Sequence, residues 1–167
     1  DTENLNDAEL IFTPTRHSRQ DFLIEKATEL GIKTLSPIIT TNTSVKDINI
    51  DRAYTIAKEA TEQSRRLSIP QINNLETFTE KIAKFDFSSR TLIYLDERQN
   101  NNENTTEILK KYHGKPVSFL IGPEGGFTPN EFEILSKTNA VGITLGNLIL
   151  RAETAGISII ALYNIGI

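Results

Sequence analysis

Three segments of this 167-residue sequence combine glycines, charges and apolar residues in patterns able to hold a ligand. They are Leu95-Asp96-Glu97, Gly122-Pro123-Glu124-Gly125-Gly126-Phe127, and Leu145-Gly146-Asn147-Leu148-Ile149-Leu150-Arg151-Ala152-Glu153-Thr154. In the second, three glycines around Pro123 let backbone approach a ligand closely, and a following helix start offers free N–H groups. No Gly-Lys-Ser/Thr follows, and the Gly-x-Gly-x-x-Gly of dinucleotide folds is absent. Alone, the segment reads either as a ligand loop or as a tight strand-to-helix turn. In the third, Arg151 and Glu153 stand between Leu148-Ile149-Leu150 and the apolar stretch Ala155 to Ile160. A helix that apolar is expected to be buried almost all round, and charges at its mouth are seldom kept unless paired or used. Two readings follow: a helix-capping salt bridge, or a functional pair.

The elements that must position these segments alternate. Ala8 to Thr13 reads as a strand. Ser18 is the expected N-cap of a first helix carrying Phe22, Leu23, Ala27 and Leu30 on one face, with Gly31 as its stop. Ile32 to Thr40 is β-prone with Pro37 inside it, and a second helix is expected from Asp51 to about Leu67. Leu75–Lys84 and Thr105–Tyr112 read as short helices, with Asn100-Asn101-Asn102 as a solvated loop. Thr91–Leu95, Pro116–Ile121 and Ala140–Leu145 read as strands. Thr128-Pro129-Asn130-Glu131 is a helix start with Thr as N-cap, Pro at N1 and Glu at N3, and a last helix begins near Arg151. Apolar, non-alternating strands between helices predict an α/β fold: a mostly parallel sheet with helices on both faces. In such sheets ligands bind beyond the carboxyl ends of the strands, where all three segments fall.

Composition narrows the chemistry. There are no cysteines and two histidines, His17 and His113, so thiolate chemistry is excluded and a histidine-built metal site is not expected. Lys and Arg number 18 against 22 Asp and Glu. A net charge of −4 argues against a chain living wholly by phosphate attraction, while leaving room for local basic clusters. Arg16, His17 and Arg19 form one cluster, and Arg65 and Arg66 another. Lys110, Lys111, His113 and Lys115 read as a solvated helix end, with His113 exposed and without a role. No apolar run approaches the ~20 residues of a membrane span, and no signal peptide opens the chain, so a cytoplasmic protein is expected. At 167 residues one domain is expected, spanning 1–167. The first residue is Asp1 and no methionine occurs, which reads as a piece of a longer product.

The glycine segment with Glu131, followed by Leu145-Gly146-x-x-Ile149-Leu150-Arg151-x-Glu153-Thr154-Ala155, resembles the SPOUT methyltransferases. Within them the sequence is similar to the 16S rRNA uridine-N3 methyltransferase family. Glu25-Lys26-Ala27-Thr28-Glu29-Leu30-Gly31 and Glu59-Ala60-x-Glu62-Gln63-Ser64-x-Arg66 with Pro70 agree, so the resemblance runs in order from about Leu10 onward. It implies S-adenosyl-L-methionine-dependent methylation of uridine N3 in small-subunit (16S) rRNA. It also implies a deep α/β trefoil knot at the C-terminal end, a homodimer, and an N-terminal β-barrel RNA-binding domain for which 1–167 leaves no room. On this resemblance Leu95, Gly122, Pro123, Glu124, Gly125, Gly126, Leu145, Gly146, Ile149 and Leu150 bind the cofactor. No metal is needed, because the methyl is carried on a sulfonium. Arg151 is the candidate to stabilise charge on the uracil oxygens, with Glu124 or Glu153 to take the N3 proton. Arg16, Arg19, Arg65 and Arg66 are the candidate RNA contacts. Two alternatives stay open: a SPOUT enzyme acting on another RNA or atom, and a non-catalytic RNA-binding or ribosome-assembly module.

Overall fold

All five residues of the first strand, β1 (Ala8–Phe12), are buried, as a strand covered on both faces must be. The computed structural model describes residues 2–98 and 103–166. In chain order β1 is followed by α1 (His17–Glu29), β2 (Thr34–Ile39), α2 (Ile50–Gln63), β3 (Gln71–Ile72), β4 (Glu76–Thr77) and α3 (Phe78–Lys84). Then come β5 (Thr91–Leu95), α4 (Glu103–Tyr112), β6 (Val117–Leu120), α5 (Pro129–Ser136), β7 (Val141–Ile143) and α6 (Ala152–Asn164). The sheet runs β3-β2-β1-β6-β5-β7, with β4 also on β2, and every pairing among the described residues is parallel. Side chains alternate between its faces. Leu10, Phe12, Ile93 and Phe119 enter a core with residues of α1, α2, α4 and α6. Ile11, Leu92, Tyr94 and Leu120 enter a second core with α3 and α5. The expected doubly covered parallel sheet is present.

Several boundaries differ from those expected, each for a local reason. Helix α1 starts at His17 behind an extended Arg16 without a side-chain cap, and Ser18 lies inside the helix. The side chain of Gln20 instead accepts from Thr15 N (3.1 Å), which holds the preceding loop. Helix α2 is capped by Asn49, which accepts from Arg52 N, and ends at Gln63 rather than near Leu67. Arg65 takes a positive φ of 60° and Arg66 N returns to Thr61 O (3.0 Å), so the helix closes in a Schellman turn built without glycine. Helix α3 begins at Phe78 because Glu76 and Thr77 pair with Ile38 and Ile39 of β2. The Asn100-Asn101-Asn102 loop lies outside the described residues.

Helix α6 is not buried all round. Ala155, Gly156, Ile159, Ile160 and Tyr163 pack inward, but Ile157, Ala161 and Leu162 are only half-buried, and Ile165 just beyond is exposed. His113 is exposed yet not idle. Its Nδ1 donates to Tyr163 O (2.7 Å), tying the turn after α4 to the last turn of α6.

Candidate active site

Strands β5, β6 and β7 are neighbours in the sheet, so the three segments that leave their carboxyl ends meet. Each is held by specific bonds. After β5, Asp96 is buried and takes a paired contact from Arg98, Nε and Nη2 each at 2.9 Å. The Arg98 guanidinium lies 3.6 Å over the ring of Phe132 on α5. After β6, the glycine loop leads into α5, whose Thr128–Glu131 capping box forms as the sequence predicts. Glu131 is buried and does two jobs: Oε1 accepts from Thr128 N (2.8 Å) and Oε2 from Thr41 N (3.1 Å). Asn42 Nδ2 donates to the carbonyls of Gly125 (3.2 Å) and Gly126 (3.1 Å), so the β2–α2 loop braces the glycine loop. After β7, Thr105 Oγ1 donates to Thr144 O (2.6 Å), anchoring the third segment on α4.

These segments enclose a recess of about 320 Å³, lined by Leu95, Glu97, Arg98, Ile121 to Phe127, Pro129, Phe132, Leu150, Ala152 and Ala155. A smaller hollow of about 80 Å³, walled by residues 143–150, opens beside it, with Leu95, Glu97, Leu150 and Ala155 common to both. All ten residues expected to bind a cofactor line one or both: Leu95, Gly122, Pro123, Glu124, Gly125, Gly126, Leu145, Gly146, Ile149 and Leu150. Gly126 (φ +74°) and Gly146 (φ +120°) hold backbone conformations that an L side chain resists, and they let main chain rather than side chain face the hollow. The walls of the recess are largely apolar, with Glu97, Arg98 and Glu124 as the charges set among them. Burial, with the Asp96 carboxylate next, raises the pKa of Glu97 above the usual carboxylate value.

The expected catalytic and RNA-facing residues scatter more. Glu124 lines the recess but is exposed, and its carboxylate is gripped by the Arg19 guanidinium. Arg151 is the exposed N-cap of α6, standing between the lining residues Leu150 and Ala152 without itself lining either hollow. Glu153 is half-buried in the first turn of α6, and among the described residues no ion pair joins it to Arg151. Arg16 lies with Arg19 along a neighbouring hollow. Arg65 is exposed at the end of α2. Arg66 must be corrected: its side chain is 5% exposed, and Nη1 donates to Thr28 O (2.8 Å) and Ile32 O (2.9 Å), capping the end of α1. Glu97 was expected only as part of the Leu95-Asp96-Glu97 strand end, without a role of its own, and Arg98 was not expected at the site. The first was legible only as a carboxylate ending an apolar strand, the second not at all, because its place depends on Asp96 and Phe132.

Residues 2–164 match the model of a protein family described as the RNA methyltransferase domain. The chain belongs to that family. This methyltransferase domain is 37% identical over 139 residues to ribosomal RNA small subunit methyltransferase E of Rickettsia conorii, covering 83% of this chain and 56% of the relative. It is 32% identical over 144 residues to the protein of the same name from Bacillus subtilis, covering 81% and 56%. The chain thus spans little more than half the length of either relative. Among solved structures it is similar to a ribosomal RNA small subunit methyltransferase E of Neisseria gonorrhoeae bound to S-adenosyl methionine. There the TM-score is 0.82 at 29% identity, over 94% of this chain and 64% of that one.

Proposed function

We propose that this domain is the catalytic part of an enzyme that uses S-adenosyl-L-methionine to methylate N3 of a uridine in 16S rRNA. The observation that carries the reading is the convergence of the three strand ends on one recess, in a chain similar over nearly its whole length to a protein crystallised with that cofactor. The residues fit such a group. The recess falls within the range of roughly 300–1,000 Å³ typical of small-molecule sites. Leu95, Leu150 and the backbone around Gly146 offer a flat apolar slot for adenine, and Glu97 offers a negative charge to a cationic centre. When bound, the cofactor supplies an electrophilic methyl that needs no metal to activate it.

The chain's own groups must then present the acceptor and manage its proton. A base-paired uridine hides N3, so the base has to be unpaired or flipped toward the recess. Glu124 stands at the rim with Arg19 fixing its orientation, where it can accept the N3 proton, directly or through water. Glu153 is the other carboxylate placed for that role. Arg151, the exposed N-cap of α6 between the lining residues Leu150 and Ala152, would stabilise negative charge developing on the uracil oxygens.

The reading extends to the whole molecule. It includes a chain course that knots β7, its loop and α6 through the preceding segment, and residence in the cytoplasm with the small ribosomal subunit. It also includes a homodimer, supported by the half-bare face of α6 and by Leu148 and Ile149, which are 82% and 91% exposed. Calorimetric titration with S-adenosylmethionine, followed by mass mapping of 16S rRNA incubated with the protein, tests the reading. Binding together with one N3-methyluridine is expected. No binding at millimolar cofactor, or methyl groups found on tRNA or on ribose, would overturn it.

A further inference from the structure

Beside the recess, the same end of the sheet carries a second hollow of about 230 Å³, whose walls include Thr13, Thr15, Arg16, Arg19 and Asn42. Pro123 and Glu124 form a wall common to this hollow and the recess. On its other side Thr15, Arg16 and Val45 are shared with a third hollow that reaches Ile48. The three make one trough running from the glycine loop past the start of α1. Its walls are braced: Gln20 holds Thr15 N, Asn42 holds the glycine loop, and Thr43 Oγ1 accepts from Thr40 N (2.9 Å).

Two features of the middle hollow have no use inside the chain. Thr13 is 3% exposed, and its hydroxyl is buried without a hydrogen-bond partner. A buried hydroxyl left that way is destabilising, and a polar ligand edge would offset the loss. Arg16 is exposed and, among the described residues, has no ion-pair partner, whereas the neighbouring Arg19 is engaged by Glu124. Arg16 stands on the wall between the middle and outer hollows. A phosphodiester would cross that wall if one nucleotide lay on either side. The outer hollow offers Val45 and Ile48 to the face of a base, and unstacked bases are bound through such faces.

We propose that this trough is the RNA path: the acceptor uridine sits in the middle hollow against the Thr13 hydroxyl, its neighbour sits in the outer hollow, and Arg16 holds the phosphate between them. This rests on the reading that the substrate is RNA, and it adds the place, the strand course and two residues that select it.

A single-stranded oligonucleotide carrying 4-thiouridine, photo-crosslinked to the wild-type chain, locates the path independently of turnover. Crosslinks within residues 13–19 and 42–49 are expected. Crosslinks only elsewhere, or none, would overturn the trough. Methyl transfer with crosslinks elsewhere sinks the trough alone, and crosslinks in the trough without methyl transfer sink the methyltransferase reading alone. Binding of the same oligonucleotide across salt concentrations supplies the second arm. Arg16→Gln is expected to flatten the slope of log affinity against log salt by about 0.7, the contribution of one phosphate contact on a single strand. Lys137→Gln, on the exposed end of α5, is expected to leave that slope unchanged. Thr13→Val is expected to weaken binding about fivefold, with Thr13→Ser restoring it and cofactor affinity held in both. An unchanged slope in Arg16→Gln, or Val and Ser variants that behave alike, would contradict the assignment.

Discussion

Glu9 is a carboxylate in the second position of an otherwise apolar strand, and its partners explain why it is tolerated there. It accepts from Ser36 Oγ (2.5 Å), Ser118 Oγ (2.6 Å) and Lys81 Nζ (2.8 Å), one partner from each of β2, β6 and α3. Burial alone would raise its pKa. The hydrogen bonds from Lys81, Ser118 and Ser36, with the charge of Lys81, outweigh that and lower it. A lowered pKa means that the stability Glu9 contributes is complete above the ordinary carboxylate value and is lost as pH falls through the folded-state value. Glu9→Gln should cost about 2 kcal/mol at neutral pH. It should also flatten the fall of melting temperature below about pH 4.5. Thermal melts across pH check both effects. Among site residues, Arg151→Ala should lower kcat by about 100-fold, the scale of losing one charge-stabilising donor, while cofactor affinity is kept. Comparable losses in both would make Arg151 a helix cap and no more. Glu97→Gln should do the reverse, weakening cofactor binding about fivefold with little change in kcat, since about 1 kcal/mol of charge-assisted contact is removed.

At the scale of elements, loops rather than strands decide whether the recess exists. Three strand ends lie side by side because β5, β6 and β7 are adjacent, but the glycine loop keeps its shape through Asn42 and Glu131. Glu131→Ala removes a helix cap and the bond to Thr41 N together, so a stability loss of about 2 kcal/mol is expected in a denaturant titration. The cap was legible in the sequence, since Thr128-Pro129-x-Glu131 satisfies the N-terminal amides locally. The second job was not, because Thr41 is 90 residues away. The same division runs through the fold. Apolar runs at β1, β5 and β6 marked their strands closely, and Gly31 marked the end of α1. The end of α2 was misplaced, because Arg65 took a left-handed conformation usually left to glycine or asparagine. Arg66 was misassigned for a related reason: nothing in a pair of arginines tells which one turns inward to cap a neighbouring helix.

For the whole molecule, the structure brings the ten expected cofactor residues either to the recess or to the smaller hollow beside it. What the sequence withheld was position in three dimensions: Glu97 between two hollows, Arg19 locked onto Glu124, and Arg151 exposed at the start of α6 rather than in the wall. Folding and ligand binding are linked here, because the recess is built from segments far apart in sequence. Cofactor at 100 times its Kd should stabilise the domain by about 2.7 kcal/mol. For a chain of this size that corresponds to a rise in Tm of roughly 5–10 °C. If the half-bare face of α6 meets a second copy, Ile165→Asp just beyond it should shift the sedimenting species from dimer to monomer without disturbing that ligand-induced rise.

A crystal structure of the domain grown with S-adenosylhomocysteine, the demethylated form of the cofactor, decides whether the recess is the cofactor site. The ligand is expected between Glu97, the Gly122–Gly126 loop and the Gly146–Leu150 segment, its adenine against Leu95 and Leu150 and its sulfur facing Glu124 and the start of α6. A ligand bound at another place, or a recess that stays closed at saturating ligand, would contradict that assignment.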